Sequence, residues 1–474
     1  MPYIIIGFFV LFFLILFIRT LLSKPNMHHE EKKSWTIDEM RAYQSLSEMI
    51  QFPTISYQDI EKRDEKVFEA FRLYLQKRYP FIHQHATLSM HGQGMLFHIK
   101  GEFEHEPIVL MSHYDVVPVE EGWKDDPFSG KISDTTIYGR GALDTKHSLH
   151  AILEALEWML QKKKTFHHDL YLAFGGDEET YGSSQIAIVE ALKEKKIKPY
   201  LVLDEGGAIV SNIFPGVEKK AAVVGIAEKG FLNIELKVKS RGGHASTPPK
   251  DSPLSILATS IQRLHHHPSF RLKLTPPVKA LFERVSPHST SFFIRLLFAN
   301  LWLFLPFIKL MAKMTGGELL SLFKTTQAFT MMHGSDVINV LPSEASVGIN
   351  YRLIPGETST MLIKRIQRII KDDRVEIVVQ EVSEPSTISK VDERYQMIEK
   401  SIQQTWPDVI VSPYLMIATS DSRRYHAICD HVYKFSPMDV SSKDLAKIHG
   451  FDEDISKENV TNGIQFYLNL LDQC

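Results

Sequence analysis

The chain has 474 residues, which is too long for one ordinary hydrophobic core, so two or more domains are expected. Its composition, with 44% hydrophobic and 23% charged residues, is typical of a folded globular protein and excludes gross disorder. A formal net charge of −3 provides no basic surface of the kind that binds nucleic acid.

The N-terminus is apolar without a break from Tyr3 to Ile18, and the apolar character resumes after Arg19. This length is close to the ~20 residues that a helix needs to cross a bilayer. A cleaved signal peptide is the alternative, but it requires a basic region before the apolar run and small residues after it, and neither is present. Residues 1–24 are therefore predicted to be the transmembrane anchor of a single-pass membrane protein. The positive-inside rule would leave the body cytosolic, but the cations are few and the side of the membrane stays open.

Beyond a polar linker, the first half of the chain alternates between helices and strands. Helices are predicted at residues 36–51, 59–78, 147–161 and 184–195, and strands at residues 108–112, 170–174 and 201–203. Alternation of this kind predicts a sheet covered by helices on both faces, with ligands bound beyond the carboxyl ends of the strands.

The pattern changes near Gly230. Residues 231–238 alternate apolar and polar side chains, as a half-exposed antiparallel strand does. The elements that follow are helices at residues 253–264 and 358–370 and strands at residues 328–332, 345–353 and 375–382. Strand, helix, two strands, helix and strand in this order predict an inserted ferredoxin-like unit.

The predicted fold class is therefore α/β. A three-layer domain with a mixed, mostly parallel sheet is expected from residues 25–229 and 385–474. An inserted α+β ferredoxin-like domain is expected from residues 230–384, and the N-terminal transmembrane helix precedes both domains.

A hydrophobic insert lies near residues 285–325, within the second domain. Its most apolar part, residues 291–314, is rich in Phe, Leu and Trp, but polar residues and a proline interrupt it, so a clean membrane span is not predicted. The interrupting residues are Arg295, Asn300, Pro306 and Lys309. Two interpretations remain: a buried helix pair, or a hairpin that dips into the membrane or grips lipid.

Side chains suited to metal binding or to acid–base chemistry follow three of the predicted strands. They are His113 and Asp115, then Asp177, Glu178 and Glu179, then Asp204 and Glu205. A further carboxylate, Asp144, lies in the glycine-containing loop 138–146 and could merely cap the helix that follows. Because chance rarely brings so many such residues to one edge of a sheet, their joint occurrence indicates a functional site.

Buried together in ionised form, Asp144, Glu179 and Asp204 would raise one another's pKa and partly neutralise. Two zinc ions remove this repulsion, because their four positive charges balance the three carboxylates and a bridging hydroxide. Oxygen and imidazole ligands suit zinc, and two-metal sites place the ions ~3.5–4 Å apart. Each metal then needs a histidine: His113 is one, and His449 is the candidate for the other.

Six motifs together resemble a family of di-zinc amidohydrolases and metallopeptidases. They are His113-Tyr114-Asp115, Gly139 to Lys146, Gly176-Asp177-Glu178-Glu179, Asp204-Glu205-Gly206-Gly207, Gly242-Gly243-His244-Ala245-Ser246 and His449-Gly450. The family includes aminoacylases, glutamate carboxypeptidase and carboxypeptidase S. The Asp204 motif and the hydrophobic insert look most like the branch of carboxypeptidase S and the N-fatty-acyl-amino-acid hydrolases.

The resemblance implies two zinc ions per subunit. The implied ligands are His113, Asp144 and Asp204 for one ion and Asp144, Glu179 and His449 for the other. Asp115 would orient the His113 imidazole, since residues two apart on a strand lie on the same side. Glu178 would be the general base that takes a proton from the metal-bridging water and gives it to the leaving amine.

For the inserted domain, the resemblance implies a lid and dimerisation domain, with a homodimer formed through it. His244 would donate a hydrogen bond to the developing oxyanion. Asn339 would contact the substrate, and Arg352 and Arg423 would bind its carboxylate. Members of the family often carry Asp two residues before the first of these arginines, whereas Asn350 stands here.

The residues and the resemblance together predict a metallo-carboxypeptidase or aminoacylase-type amidohydrolase. The substrate would be an amide with a free carboxylate, either a small peptide cut at its C-terminal residue or an N-acyl amino acid. Both classes stay open, although the hydrophobic insert favours the second. The competing interpretation is a non-catalytic membrane-anchored binding protein that retains the fold, which predicts an incomplete set of ligands.

Overall fold

The computed structural model describes residues 2–25, 30–180, 182–212, 216–267 and 270–474. The helices in these residues are α1 (Pro2–Leu22), α2 (Glu39–Ile50), α3 (Glu65–Arg78), α4 (Pro80–His85), α5 (Lys146–Gln161), α6 (Ser183–Glu194), α7 (Pro253–His266), α8 (Pro276–Val285), α9 (Phe292–Ala299), α10 (Leu301–Thr315), α11 (Gly317–Phe323), α12 (Ser359–Ile370), α13 (Glu393–Thr405), α14 (Ser442–Leu445) and α15 (Lys457–Leu471). The strands are β1 (Thr87–His91), β2 (Gly94–Ile99), β3 (Phe103–His113), β4 (Thr136–Tyr138), β5 (His168–Gly175), β6 (Leu201–Asp204), β7 (Ile209–Val210), β8 (Ala221–Glu228), β9 (Gly230–Lys239), β10 (Gly243–His244), β11 (Thr326–His333), β12 (Val340–Leu341), β13 (Glu344–Leu353), β14 (Glu376–Ser383), β15 (Ile410–Met416), β16 (Val432–Lys434), β17 (Asp439–Val440) and β18 (Asp454–Ser456).

The largest sheet has ten strands and is mixed. Its order is β1-β2-β5-β3-β6-β16-β8-β7-β17, with β15 also paired to β8. The central run β5-β3-β6-β16 is parallel, whereas β1, β2 and β5 pair antiparallel towards one edge. The mixed sheet predicted from the sequence is therefore confirmed.

Helices cover both faces of this sheet because the side chains of its central strands alternate between the faces. Ile108 and Leu110 of β3 pack with α5 in one core, and Val109 and Met111 of the same strand pack with α6 in another. All four side chains are at most 1% exposed. A parallel strand buried on both sides needs an apolar residue at every position, which explains the continuous apolar run in the sequence.

A second sheet, with four antiparallel strands, is formed within residues 230–383. Its order is β11-β13-β9-β14, and α7 and α12 pack with it in a separate core. The side chains of β9 alternate between buried and half-buried, as the pattern of residues 231–238 predicts. Strand, helix, two strands, helix and strand follow one another as expected, while the domain boundaries stay a prediction.

The hydrophobic insert is helical, and its buried side chains share a core with two strands of the ten-stranded sheet. Leu297 and Phe298 are buried with residues of β8 and β15, whereas Phe293 and Trp302 are 57% and 58% exposed. Helices α9 and α10 meet at an angle of 112°, and Asn300 lies at the break between them. The insert is therefore neither one straight span nor a wholly buried helix pair.

Among the described residues, α1 is the one unbroken helix that is long and apolar enough to cross a membrane. Its Tyr3–Leu22 segment has a mean hydropathy of 2.8, and 11% of its most apolar window is buried. A signal sequence near an N-terminus has the same properties. The predicted transmembrane anchor is therefore consistent with the helix but is not established by it.

Two helices begin later than predicted, because aspartates cap them. Helix α2 begins at Glu39, where the Asp38 carboxylate accepts a hydrogen bond from the N–H of Arg41 (3.0 Å), and not at a Thr36 cap. Helix α3 begins after the Asp64 cap, so the predicted helix 59–78 is shorter than expected. Aspartate is a strong N-cap because its carboxylate satisfies a backbone N–H that the helix leaves free.

Candidate metal centre and hydrolytic site

Three strand ends meet at one edge of the ten-stranded sheet. Strand β3 pairs in parallel with both β5 and β6, so that His113 lies opposite Gly175 and Leu110 lies opposite Leu203. Strand β3 ends at His113, β5 ends just before the acidic turn, and β6 ends at Asp204. Parallel pairing therefore brings the segments that carry the predicted site residues to a common edge.

Asp144 lies between two imidazoles. Its Oδ1 is 3.2 Å from Nε2 of His113, and its Oδ2 is 3.0 Å from Nε2 of His449. The ring of His449, which comes from a loop near the C-terminus, also lies 3.2 Å from Oε2 of Glu179. The structure thus brings two histidines that are distant in sequence to a single aspartate.

Two overlapping groups of side chains have ligand atoms close enough to hold metal ions. The groups are His113, Asp144 and Glu179, and His113, Glu178 and Glu205, and the ligand atoms of each group lie within 4.8 Å of one another. Carboxylate oxygen and imidazole nitrogen are ligands that suit zinc. The buried Oε1 of Glu179 has no hydrogen-bond partner among the described residues. The residues at this site therefore fit a metal centre.

Asp204, which is expected from the sequence to be a ligand, belongs to neither of these two groups among the described residues. Its Oδ2 accepts a hydrogen bond from the backbone N–H of Ser422 (3.1 Å). Oε1 of the next residue, Glu205, lies instead 3.3 Å from Nε2 of His113. Because successive side chains of a strand point to opposite faces, a shift of one residue exchanges the carboxylate that reaches the site. Of these two neighbouring carboxylates, Glu205 is the one that lies beside His113.

Asp115 holds both the acidic turn and the imidazole ring of His113 in place. Its carboxylate oxygens accept hydrogen bonds from the backbone N–H groups of Glu178 (3.2 Å) and Glu179 (3.1 Å). Its carbonyl oxygen lies 3.0 Å from Nδ1 of His113, and its carboxylate lies 3.4 Å from the same atom. The buried Asp115 therefore orients one imidazole and fixes the position of both glutamates.

Burial and neighbouring groups raise the pKa of three members of the site. Burial, with the carboxylates nearby, raises the pKa of Glu178 well above its usual range and that of Glu205 to about 7. Hydrogen bonds to Asp144 and Glu179 raise the pKa of His449 to about 10. Without a metal ion, these groups therefore retain protons that a bound cation would displace.

Two residues that were not singled out from the sequence hold the loop that carries Asp144. Oε1 of Glu453 accepts hydrogen bonds from the backbone N–H groups of Leu143 (2.6 Å) and Asp144 (3.2 Å). Its Oε2 accepts from Nη1 of Arg140 (2.8 Å), whose Nη2 donates to the carbonyl of Gly450 (2.9 Å). This buried pair ties the aspartate loop to the loop of the second histidine. Both residues lie in or beside the sequence motifs, and their opposite charges were the available signal.

His244 and Asn339 lie close together where the short strands β10 and β12 pair. Strands β10 and β12 pair, with His244 opposite Val340, and the carbonyl of Asn339 accepts a hydrogen bond from the N–H of Ala245 (3.0 Å). Nδ1 of His244 lies 2.7 Å from Oγ of Ser246 in its own turn. In the part of the chain that the structure describes, neither side chain belongs to a metal-holding group. Their expected roles in catalysis stay predictions.

The two arginines expected to bind the substrate carboxylate converge on one aromatic ring. The guanidinium carbons of Arg352 and Arg423 each lie 5.8 Å from the centre of the Phe231 ring. Nη2 of Arg423 donates to the carbonyl oxygens of Lys229 (3.2 Å) and Glu384 (3.3 Å). The buried Nη1 of Arg423 has no hydrogen-bond partner among the described residues.

Lys229 joins these arginines to the hydrophobic insert. Its Nζ donates to the carbonyl oxygens of Ser321 (3.0 Å) and Lys324 (2.9 Å), at the end of α11. Burial and the charges of Arg352 and Lys324 lower the pKa of Lys229 to about 8. The same residue thus contacts Arg423 through its carbonyl and the insert through its side chain.

Known members of one peptidase family are similar to this chain in sequence and in fold. The profile of peptidase family M20/M25/M40 matches residues 109–473. The chain is 35% identical over 448 residues to a probable carboxypeptidase S-like 2 protein of Dictyostelium discoideum, with 92% of this chain and 85% of that protein covered. It is 33% identical over 440 residues to the N-fatty-acyl-amino acid synthase/hydrolase PM20D1 of Mus musculus, with 90% and 86% covered. Its fold is similar to that of an M20 family metallo-carboxypeptidase from Sulfolobus solfataricus, with a TM-score of 0.69, 17% identity, and 92% and 99% of the two chains covered.

The assignment of Glu205 can be tested against Asp204 by metal content. Glu205→Gln is expected to lower the metal bound per chain, because a neutral amide replaces the carboxylate beside His113. Asp204→Asn makes the same change of charge one residue away and is expected to retain the metal of the wild type. Metal per chain is measured by plasma mass spectrometry after dialysis. Retention in Glu205→Gln with loss in Asp204→Asn would reverse the assignment.

Metal uptake is expected to release protons and to strengthen as the pH rises. In the metal-free protein His449, with its pKa raised to about 10, and Glu205, with a pKa of about 7, hold protons that a metal must displace. Each proton released makes the affinity rise about tenfold per pH unit while the pH is below that group's pKa. Calorimetric titration in buffers of different ionisation enthalpy counts the protons, and heats that do not depend on the buffer would contradict this prediction.

Glu453→Gln is expected to destabilise the fold by about 3–5 kcal/mol, because it leaves the buried Arg140 guanidinium without its charged partner. Glu458→Gln is the control, since Glu458 is an exposed carboxylate of α15 whose loss is expected to stay within about 0.5 kcal/mol. Urea unfolding of the metal-free protein measures both changes. Equal effects would show that the Arg140–Glu453 pair is not needed to hold the loop.

Proposed function

The chain belongs to peptidase family M20/M25/M40, and from this premise we propose that it is a zinc-dependent hydrolase of amide bonds. Its substrates would carry a free carboxylate. The family is metal-dependent, and the proposal rests on one observation: Asp144 lies within 3.2 Å of His113 and 3.0 Å of His449, with three glutamates close by.

Two zinc ions are proposed, because five side chains with Asp144 shared give three protein ligands to each ion. The proposed ligands are His113, Asp144 and Glu205 for one ion and Asp144, Glu179 and His449 for the other. Three protein ligands leave an open position, as in catalytic zinc sites. When bound, zinc supplies a Lewis acid for the scissile carbonyl and lowers the pKa of water towards ~7.

Glu178 is proposed to be the general base. Its raised pKa, which burial and neighbouring carboxylates cause, suits a group that accepts a proton and then returns it. Asp115 fixes its backbone N–H, so the side chain is held at the edge of the ligand cluster. Glu178 would take the proton of the attacking water and give it to the nitrogen of the leaving amine, so that the proton balance closes within one turnover.

The carboxylate of the substrate is proposed to bind between Arg352 and Arg423. Both guanidinium groups lie near the Phe231 ring, and one nitrogen of Arg423 has no partner among the described residues. A planar guanidinium suits a planar carboxylate better than an ammonium does. These arginines would therefore select substrates that end in a free carboxylate.

His244 and Asn339 are proposed to complete the site from the inserted domain, which would act as a lid and as a dimerisation domain. His244 lies on β10 and Asn339 directly precedes β12, so the pairing of these two strands would deliver both side chains together. His244 would donate a hydrogen bond to the developing oxyanion, and Asn339 would contact the substrate. A homodimer formed through this domain is part of the proposal.

Two substrate classes fit, the C-terminal residue of small peptides and N-acyl amino acids. The relatives named above are a carboxypeptidase S-like protein and an N-fatty-acyl-amino acid synthase/hydrolase. An insert with exposed apolar side chains, joined through Lys229 to the carboxylate-binding arginines, favours N-acyl amino acids. The products would be an amino acid and a carboxylic acid.

A non-catalytic binding protein with the same fold is not favoured. Such a protein would be expected to lack ligands, yet two histidines and four carboxylates remain within reach of one another. The orphaned Oε1 of Glu179 also needs a cation or a donor. The complete ligand set therefore favours an enzyme.

Attachment to a membrane through α1 is also proposed. A 20-residue segment of the helix has a mean hydropathy of 2.8, and no small-residue cleavage pattern follows it in the sequence. A helix of this length spans the hydrocarbon core of a bilayer. The protein would then be a single-pass membrane protein.

Glu178→Gln is expected to retain bound zinc and to lower turnover by about 100-fold or more, because the amide cannot accept a proton. Asp144→Ala is expected to lose the metal. Glu190→Gln, an exposed glutamate of α6, is the matched control and should keep full activity. Release of free amine is measured from an N-acyl amino acid and from a glycine-containing dipeptide. Full activity of Glu178→Gln would refute the base assignment, and no amine from any substrate would refute the hydrolase.

A further inference from the structure

The N-terminal helix α1 packs against the hydrophobic insert. The rings of Phe12 and Trp302 lie 6.1 Å apart, edge to face, and the rings of Phe17 and Phe292 lie 5.7 Å apart. Thr20 is 1% exposed and is one of the two buried side chains among those described in α1. These contacts fall in the half of α1 that is nearer to the globular body.

Asn300 lies at the break between α9 and α10 and is fully buried. Its Nδ2 donates to the carbonyl oxygen of Leu16 (3.3 Å), to Oγ1 of Thr20 (3.3 Å) and to the carbonyl oxygen of Leu296 (3.0 Å). Two of these three acceptors belong to α1, so the Asn300 amide would lose both of them if α1 were cleaved off as a signal peptide. Loss of the partners of a buried donor costs about 1–3 kcal/mol. Helix α1 is therefore part of the folded insert.

The remaining face of α9 and α10 is apolar and exposed. Its exposed side chains include Phe292, Phe293, Trp302, Phe307, Leu310 and Met311. This surface continues the exposed apolar surface of α1, a helix whose most apolar window is 11% buried. Exposed apolar areas mark surfaces that contact a partner or a membrane, and continuity with a helix long enough to span a bilayer points to lipid.

The break between α9 and α10 is shielded as a bilayer would require. Irregular backbone at membrane depth is tolerated only where protein covers it, because hydrocarbon offers no hydrogen bonds. The helices have 8 and 15 residues, so neither spans alone, and Asn300 at their 112° bend is covered by α1. The contacts from Phe12 to Thr20 extend over about 12 Å at ~1.5 Å per residue, close to the depth of one leaflet.

We propose that α1 and the pair α9–α10 form a single bilayer-inserted unit. Helix α1 spans the membrane, and α9–α10 enter one leaflet beside it as a re-entrant hairpin. Lys309 and Lys313 have aliphatic stems long enough to carry their ammonium groups to the headgroups. The inference rests on the membrane attachment proposed above and is independent of the hydrolase activity.

Quenching of Trp302 fluorescence by labelled lipid tests the depth of the hairpin. Full-length protein and its Trp302→Phe variant are reconstituted into phosphatidylcholine vesicles with brominated acyl chains, and the difference between their emission spectra gives the signal of Trp302. We expect bromine to quench most of this signal. The difference signal of Trp406→Phe, which probes the core of the larger sheet, should be unaffected.

Two results would overturn the proposal in different ways. If Trp302 is not quenched in protein that stays on the vesicles after an alkaline wash, the hairpin does not enter the bilayer. Release of the protein by that wash would refute the membrane attachment, and this inference with it. Neither result bears on the release of amine from substrates, so the hydrolase proposal is judged separately.

Crosslinking tests the contact between α1 and the insert. A protease site is introduced into the segment between α1 and α2, and Phe12→Cys is combined with Trp302→Cys. After treatment with a short bifunctional thiol reagent in vesicles and proteolysis, α1 should remain joined to the body. Leu14→Cys with Trp302→Cys is the control, because Leu14 lies about 200° around the helix from Phe12. Loss of α1 after proteolysis of the variant that combines Phe12→Cys with Trp302→Cys would contradict the contact. Crosslinks between two chains that both carry Trp302→Cys would show that this surface contacts a second copy of the chain and not lipid.

Discussion

Buried carboxylates repel one another unless a cation lies between them, and the centre around Asp144 is built on this constraint. Burial, together with the negative charge of neighbouring carboxylates, raises the pKa of Glu178, Glu179 and Glu205. Although burial opposes it, the two imidazoles lower the pKa of Asp144 and keep it ionised. Such a cluster is unfavourable in the metal-free protein, and the binding of cations would recover that free energy.

The sheet brings the strand ends together, but two further carboxylates turn that proximity into defined geometry. Asp115 accepts hydrogen bonds from the acidic turn, and Glu453 accepts them from the loop of Asp144. In each case one buried side chain satisfies two backbone N–H groups that would otherwise lack partners. Arg140 then joins Glu453 to the loop of the second histidine. Loops held in this way keep their ligands in place before the metal arrives.

Hydrophobic periodicity in the sequence predicts the strands and helices well, because buried strands and amphipathic helices repeat with different periods. The ends of elements are less predictable, as the Asp38 cap shows. The same weakness affects the site: local sequence cannot tell which of Asp204 and Glu205 turns towards His113, since that depends on where β6 stops. Asn300 stands out in the sequence only as an interruption of an apolar run, and its role emerges from contacts with a helix nearly 300 residues away.

Lys229 connects the hydrophobic insert to Arg423, one of the two arginines proposed to bind the substrate carboxylate. Its ammonium is fixed to the end of α11, and its carbonyl is fixed to Arg423. A displacement of the insert would therefore be transmitted to a guanidinium that is proposed to hold the substrate. If the insert lies in lipid, the thickness and lateral pressure of the membrane would affect the turnover of the enzyme. Turnover of a fully water-soluble substrate would then vary with the lipids around the protein.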